Sequence, residues 1–254
     1  MGLPLFYILE ENLDLERGCV KITGLDARHL TRSLRVKQGD AVKVSDCKGT
    51  IRTTRVQTIA QDSVVCRLDS STYMPPERPQ VVLFQAMARN TSMDEAVARA
   101  AEAGASRFVP FVSKRSPLEA IKKSGSRLDR WRTIARESSK VARRAYPLEV
   151  RETVHSFDES LLETVGACVV LWEDEEHKRF GEALPEEPPR SIGLVAGPEG
   201  GLSAAEVDVI RSMGARPASL GDLNMRAESA GSYATMIVRY HYGLLVPRES
   251  PPDE

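Results

Sequence analysis

Residues 191–242 constrain the fold more than any other stretch, because they spell one three-part unit twice. An apolar run, 192–196, has the length of a buried strand. It breaks at Gly197-Pro198-Glu199-Gly200-Gly201, where three glycines let backbone N–H groups turn outward and approach a ligand closely. Ser203-Ala204-Ala205-Glu206 then spells a capping box that opens a helix, and Gly214 is a natural stop for it. A second short strand over 218–220 meets the turn Gly221-Asp222-Leu223-Asn224-Met225-Arg226, and a last helix follows over 227–245. Two such units in succession put both loops at the carboxyl ends of parallel strands, where open α/β sheets bind ligands.

The rest of the chain divides by rhythm. Runs at 5–9, 19–22, 42–44, 51–56 and 63–68 are short, β-branched or alternating, and separated by polar turns, which predicts a small barrel. A helix is expected over 26–36, with Leu30 and Leu34 one turn apart. Met74-Pro75-Pro76-Glu77-Arg78-Pro79 continues neither strand nor helix and marks a boundary. Beyond it strands at 81–84, 107–112 and 167–172 alternate with helices opened by Ser92 and Ser126, implying a parallel sheet covered on both faces. The expected organisation is a barrel over 1–73, an α/β domain over 80–246 and a disordered tail over 247–254.

Composition narrows the function classes. A formal net charge of −1 means that any nucleic-acid contact rests on local clusters, not on a global basic field. The four cysteines form no C-x-x-C pair, which fits reduced thiols in a cytosolic protein. No apolar run approaches the ~20 residues of a membrane helix, and no basic stretch precedes the N-terminal apolar residues as in a secretory leader. His155, His177 and His241 lack metal-ligand spacing, so no metal is expected. Neither G-x-G-x-x-G nor G-x-x-x-x-G-K-[ST] occurs.

Arg226 is the most informative single residue. A cation in the first turn of a helix opposes the helix dipole, so it needs a carboxylate, Glu228 or Glu199, or a ligand. Arg136, Lys140, Arg143 and Arg144 recur at helical spacing, with Arg127 and Arg132 extending the run; the pattern suits a solvated face or a phosphate-binding one. Arg32, Arg35 and Lys37 form a smaller cluster in the barrel. On the final helix Tyr233, Met236, Ile237 and Tyr240 are read as spread around too much of the circumference for a single core, which suggests a subunit interface.

GPEGGLSAAE and SLGDLNMRAESA, with the α/β pattern before them, resemble the SPOUT-class, trefoil-knotted methyltransferases, above all the ribosomal RNA small subunit methyltransferase E family. The resemblance covers nearly the whole chain. His29-Leu30, Leu34-Arg35-Val36 and Gly39-Asp40 look like that family's PUA-like barrel; Met93, Arg99, Glu102 and Gly104 look like its first knot-domain helix. Asp222, Asn224, Met225, Ser229, Leu5 and the pair Ser139-Lys140 depart from the family's usual residues. The resemblance implies a knotted parallel-sheet α/β domain preceded by a PUA-like β-barrel, in a cytoplasmic homodimer that methylates uridine N3 of 16S ribosomal RNA with S-adenosylmethionine. It also implies a cofactor site of Leu171, Gly197, Glu199, Gly200, Gly201, Leu220, Gly221, Leu223 and Met225. Arg226 and Glu199 would be catalytic, and Arg32, Arg35, Arg115, Arg136, Lys140 and Arg143 would contact RNA. The rival readings are a catalytically silent RNA-binding or ribosome-assembly protein, for which the Asp222-Leu223-Asn224 turn speaks, and a relative acting on another RNA position.

Overall fold

Up to Pro76 the chain folds as its alternating apolar positions dictate. The computed structural model describes residues 2–246, so the tail expected over 247–254 lies outside them. Strands β1 (Leu5–Tyr7), β2 (Leu13–Asp14), β3 (Cys19–Thr23), β4 (Ala41–Ser45), β5 (Thr50–Ile59) and β6 (Ser63–Tyr73) form one sheet in the order β1-β4-β5-β6-β3-β2. Only β1 and β4 pair in parallel. Val20, Ile22, Val42, Val44, Val56, Val64 and Cys66 alternate inward and meet Phe6 and Leu30 in one core. The helix expected over 26–36 is shorter: α1 (Gly24–Arg28) runs into a π-helical turn, His29–Ser33. Leu30 is buried but Leu34 is not, and the chain leaves the turn at Arg35 with φ of 52°.

This unit takes in a distant segment, residues 139–147. The Ser45 hydroxyl donates to the Ala145 carbonyl (2.8 Å), the Tyr7 phenol to the Arg144 carbonyl (3.0 Å) and the Tyr146 phenol to the Met74 carbonyl (3.1 Å). Lys140 is buried, its Nζ 2.7 Å from Asp26 Oδ1.

The second unit comprises Glu77–Ser138 and the chain from Leu148 onward. Its strands β7 (Gln80–Ala86), β8 (Arg107–Phe111), β9 (Glu149–Val150), β10 (Ala167–Leu171), β11 (Ser191–Ala196) and β12 (Arg216–Ala218) are all parallel, ordered β12-β10-β11-β7-β8-β9. Successive residues face opposite ways, so near-continuous apolar strands feed two cores. Val81, Leu83, Phe108, Val169, Ile192 and Leu194 pack with residues of α2 (Asn90–Ala103), α3 (Leu118–Val141) and α7 (Ala227–His241). Val82, Phe84, Val109, Val170 and Val195 pack with Val207 and Ile210 of α6 (Ala204–Ser212). Two one-turn helices, α4 (Glu159–Leu162) and α5 (Phe180–Ala183), fill the connections.

Two helix starts differ from expectation. α3 opens at Leu118, just after Pro117, whose fixed φ suits a first turn. Ser126 lies inside it and donates back to the Lys123 carbonyl. α2 opens at Asn90, before Ser92, and Glu95, expected to close a capping box with Ser92, instead pairs with Arg99 NH2 at 2.6 Å, while Asp94 accepts from Trp131 Nε1 (3.1 Å) and Arg130 Nε (2.9 Å) of α3. The Ser203–Glu206 box forms as read, with Ser203 N donating to Glu206 Oε2 at 2.9 Å.

From β12, at the sheet edge, the chain returns so that α7 packs on α2, β7 and β11. Ala234 and Val238 are buried there, whereas Tyr233, Met236, Ile237 and Tyr240 are exposed. Their spacing of i, i+3, i+4 and i+7 makes one stripe, which corrects the expectation that they spread around the helix.

Candidate functional site

The carboxyl ends of β7, β10, β11 and β12, four neighbours in the second sheet, converge on a cleft of about 950 Å³. β10 contributes Leu171, Trp172, Glu173 and Asp174; β11 contributes Gly197, Pro198, Glu199, Gly201 and Leu202. Residues 219–228 after β12 form a third wall, and Arg89, Thr91 and Ser92 after β7 the fourth. Both turns read from the sequence therefore line one cavity. Of the expected cofactor residues, Leu171, Gly197, Glu199, Gly201, Leu220, Gly221, Leu223 and Met225 line it; Gly200 is not among the lining residues.

The glycines are not equivalent. Gly201 has φ of 68°, and a Cβ there would stand 2.5 Å from Glu173 Oε1. A Cβ on Gly197 would lie 3.0 Å from the Gly201 carbonyl carbon and the Leu202 nitrogen. Gly200 has no such constraint: its nearest neighbour would be Arg115 Cδ at 3.5 Å, an ordinary contact. The expectation of a need for glycine thus applies to 201 and not to 200. The turn closes with Gly201 N donating to the Pro198 carbonyl at 2.9 Å.

Arg226 and Glu199 both line the cleft. Arg226 occupies the N-cap of α7 without a capping bond, its side chain 82% exposed and its NH1 3.7 Å from Glu228 Oε1. Of the two candidate carboxylates, the buried Glu228 is the one Arg226 pairs with, and the pair is a loose one. Glu199 Oε1 accepts the Arg89 backbone N–H at 2.8 Å, covering an unmet donor at the start of α2. Glu206, just beyond the cleft, is half-buried. Burial raises its carboxyl pKa, but bonds from Ser203 and the Lys114 N–H and the nearby Arg115 charge outweigh burial and leave it lowered.

The expected RNA residues scatter. Arg32 and Arg35 are exposed in the first unit. Arg115 follows β8, and its NH1 donates to the Gly200 carbonyl at 2.6 Å. Arg136 is half-buried on α3. Lys140 is not a presented charge, because it is buried against Asp26, with Nζ 6.0 Å from the Phe6 ring. Arg143 lies past the end of α3 with φ of 56° and donates to the Gly2 carbonyl at 2.7 Å, so it is not on that helix's face. Sequence reading overlooked Arg89, Glu173 and Asp174; the strand-end rule that found 197–201, applied to 81–84 and 167–172, would have reached them.

Among the described residues no group of His, Cys, Asp or Glu is arranged to hold a metal ion, and no helix is long and apolar enough to cross a membrane. The lining suits an adenosyl cofactor: a backbone cradle that a Cβ would fill, beside Leu171, Leu220, Leu223 and Met225, with Leu223 73% exposed and so available to a ligand.

Residues 76–239 match the RNA methyltransferase domain model and residues 22–69 the RNA methyltransferase PUA domain model. The chain is 29% identical over 243 residues to ribosomal RNA small subunit methyltransferase E of Bacillus subtilis, covering 91% of this chain and 93% of that one. It is 26% identical to the Mycobacterium tuberculosis protein of that name, covering 92% and 90%. A crystal structure of a hypothetical protein superposes with a TM-score of 0.79 at 26% identity, covering 95% of this chain and all of that one. The Neisseria gonorrhoeae ribosomal RNA small subunit methyltransferase E bound to S-adenosyl methionine gives 0.79 at 21%, covering 94% and 98%.

Proposed function

Because the chain belongs to the RNA methyltransferase domain family, with a PUA domain before it, we propose that it methylates N3 of a uridine in 16S ribosomal RNA. The observation that carries this reading is the convergence of the 197–201 and 221–226 turns, with Arg226, on one cleft. S-adenosylmethionine, when bound there, supplies an electrophilic methyl group on a sulfonium. The Gly197 and Gly201 turn would hold its polar parts, with Leu171, Leu220, Leu223 and Met225 offering apolar lining to its adenine and Gly221 in the second turn beside them.

The chain's own part is to bring the uracil nitrogen in line and to accommodate charge. Losing the N3 proton spreads negative charge onto O2 and O4, and the Arg226 guanidinium stabilises it there. Glu199, one oxygen already on the Arg89 N–H, takes the proton on the other. Arg32 and Arg35 of the PUA-like unit, with Arg136, hold RNA phosphates. Two copies pair through the exposed α7 stripe, which a lone chain would leave in water. The protein acts in the cytoplasm, where its RNA is.

Calorimetric titration with S-adenosylmethionine and mass-spectrometric nucleoside analysis of 16S RNA test the reading. A strain lacking the gene should lose one 3-methyluridine. Arg226→Ala should lower kcat by about 10²–10³ with cofactor affinity near that of the wild type. Absence of cofactor binding at millimolar ligand would favour the silent RNA-binding reading.

A further inference from the structure

The 197–201 turn is held from outside by residues of β7, which pairs with β11, and by the loop after β8, the strand beyond it. At the end of β7, buried Gln85 donates from Nε2 to the Gly197 carbonyl at 3.0 Å, and Arg89 N binds Glu199. Beyond β8, Arg115 NH1 donates to the Gly200 carbonyl at 2.6 Å, and its Cδ and Cβ lie 3.5 and 3.6 Å from where a Gly200 Cβ would stand. The preceding residue grips the next element, Lys114 N donating to Glu206 Oε1 at 2.6 Å. Residues 113–116 are themselves fixed, since Ser113 N donates to the buried Ser116 hydroxyl at 3.0 Å. A rigid platform thus carries one cationic side chain onto the peptide between the two glycines, where the backbone has least intrinsic preference for a single conformation.

We propose that Arg115 is a positioning residue of the cofactor turn, holding the Gly200 peptide in register, and is not an RNA ligand. It does not line the cleft, so it acts on a ligand only through Gly200. The proposal rests on the reading that this cleft takes S-adenosylmethionine. A charge-assisted bond is among the stronger single hydrogen bonds in a protein. Losing it lets the ligand-free turn populate conformations that do not bind, and apparent affinity falls by the lost fraction.

The test uses the full chain with Arg115→Ala, Arg115→Gln and Arg115→Lys, each measured three ways. Kd for S-adenosylmethionine should rise about tenfold in the alanine and glutamine variants, which lack the charge, and less in the lysine variant, which keeps a cationic donor. Amide exchange over 199–202, followed without ligand, should accelerate in the same order. The log–log salt slope of RNA binding should stay at the wild-type value. Unchanged exchange, or unchanged Kd with a slope reduced by about one, overturns the proposal in favour of RNA contact. If Arg115→Ala unfolds, Arg115→Gln decides. A wild type that takes no S-adenosylmethionine refutes the function proposed above, while the exchange experiment still decides whether Arg115 clamps the turn.

Discussion

Replacing Gly201 by alanine isolates the cofactor turn from everything else. The φ of 68° at this residue is left-handed, and a Cβ there costs roughly 1–2 kcal/mol. The added carbon would also stand 2.5 Å from Glu173 Oε1, but that is the end of an exposed, flexible side chain and moves at little cost. The strain is therefore about 1–2 kcal/mol, small beside the ~5–15 kcal/mol of a folded domain, so the fold survives. If the ligand-free turn relaxes and must be restored on binding, the strain appears in affinity, as a Kd for S-adenosylmethionine raised about 5- to 30-fold. If the turn does not relax, the strain appears in stability instead, at about 2–4 °C of Tm per kcal/mol for a chain of this size. Calorimetry and thermal unfolding on one sample capture both, and their sum should match the strain. Gly200→Ala is the control, expected within about twofold of wild type because its Cβ meets only ordinary contacts. The reasoning fails if Gly201→Ala leaves both Kd and Tm untouched, or if Gly200→Ala does more damage than Gly201→Ala.

Other consequences can be checked separately. Ile237→Asp or Tyr233→Asp, on the exposed stripe of α7, should convert a dimer to a monomer with lost activity; a wild type that sediments as a monomer at micromolar concentration removes the premise. Lys140→Ala should destabilise the protein by about 3 kcal/mol in urea titration, since it strips the partner from Asp26 in a largely buried pair; a change under about 0.5 kcal/mol would return Lys140 to the surface. Arg32→Ala and Arg35→Ala should each shallow the log–log salt slope of RNA binding by about one, with urea midpoints unmoved. Burial pushes the Cys168 thiol up to about 12 from a reference of 9.0. Its folded-state pKa being the higher, stability is intact below pH 9.0 and is lost as pH rises toward 12. Cys168→Ala should therefore lose less stability between pH 8 and 11 than the wild type.

Most of the sheet of the second unit was legible because β7, β8, β10 and β11 carry near-continuous apolar runs, and glycine ends β11; the two-residue β9 has no such run and was not read. The Ser203 box was legible because capping is settled within four residues. The start of α3 was not: Ser126 carries the same local signal as Ser203, and only the packing of the whole helix, with Trp131 and Ala135 in the core, tells a cap from an interior serine. The same limit misled the reading of Lys140 and Arg143. Helical spacing placed them on one basic face, but the helix ends at Val141, and Asp26, more than a hundred residues away, claims Lys140. Distances between remote segments are tertiary facts that no periodicity encodes. The knotted topology is a further case, since chain-crossing rules argue against it and only the family resemblance brings it in.

The segment 139–147 sets a schedule on synthesis. Chains emerge from the ribosome at roughly 5–20 residues per second, and about seventy residues separate Pro76 from the end of this segment. The N-terminal sheet is thus complete in sequence several seconds before it is complete in space. Throughout that interval the hydroxyl of Ser45, sealed from water in the finished protein, waits for the Ala145 carbonyl, and Asp26 waits for Lys140. A nascent chain halted at residue 76 holds six strands with unfinished polar chemistry among them, and the unit matures only once more than half the polypeptide has been made.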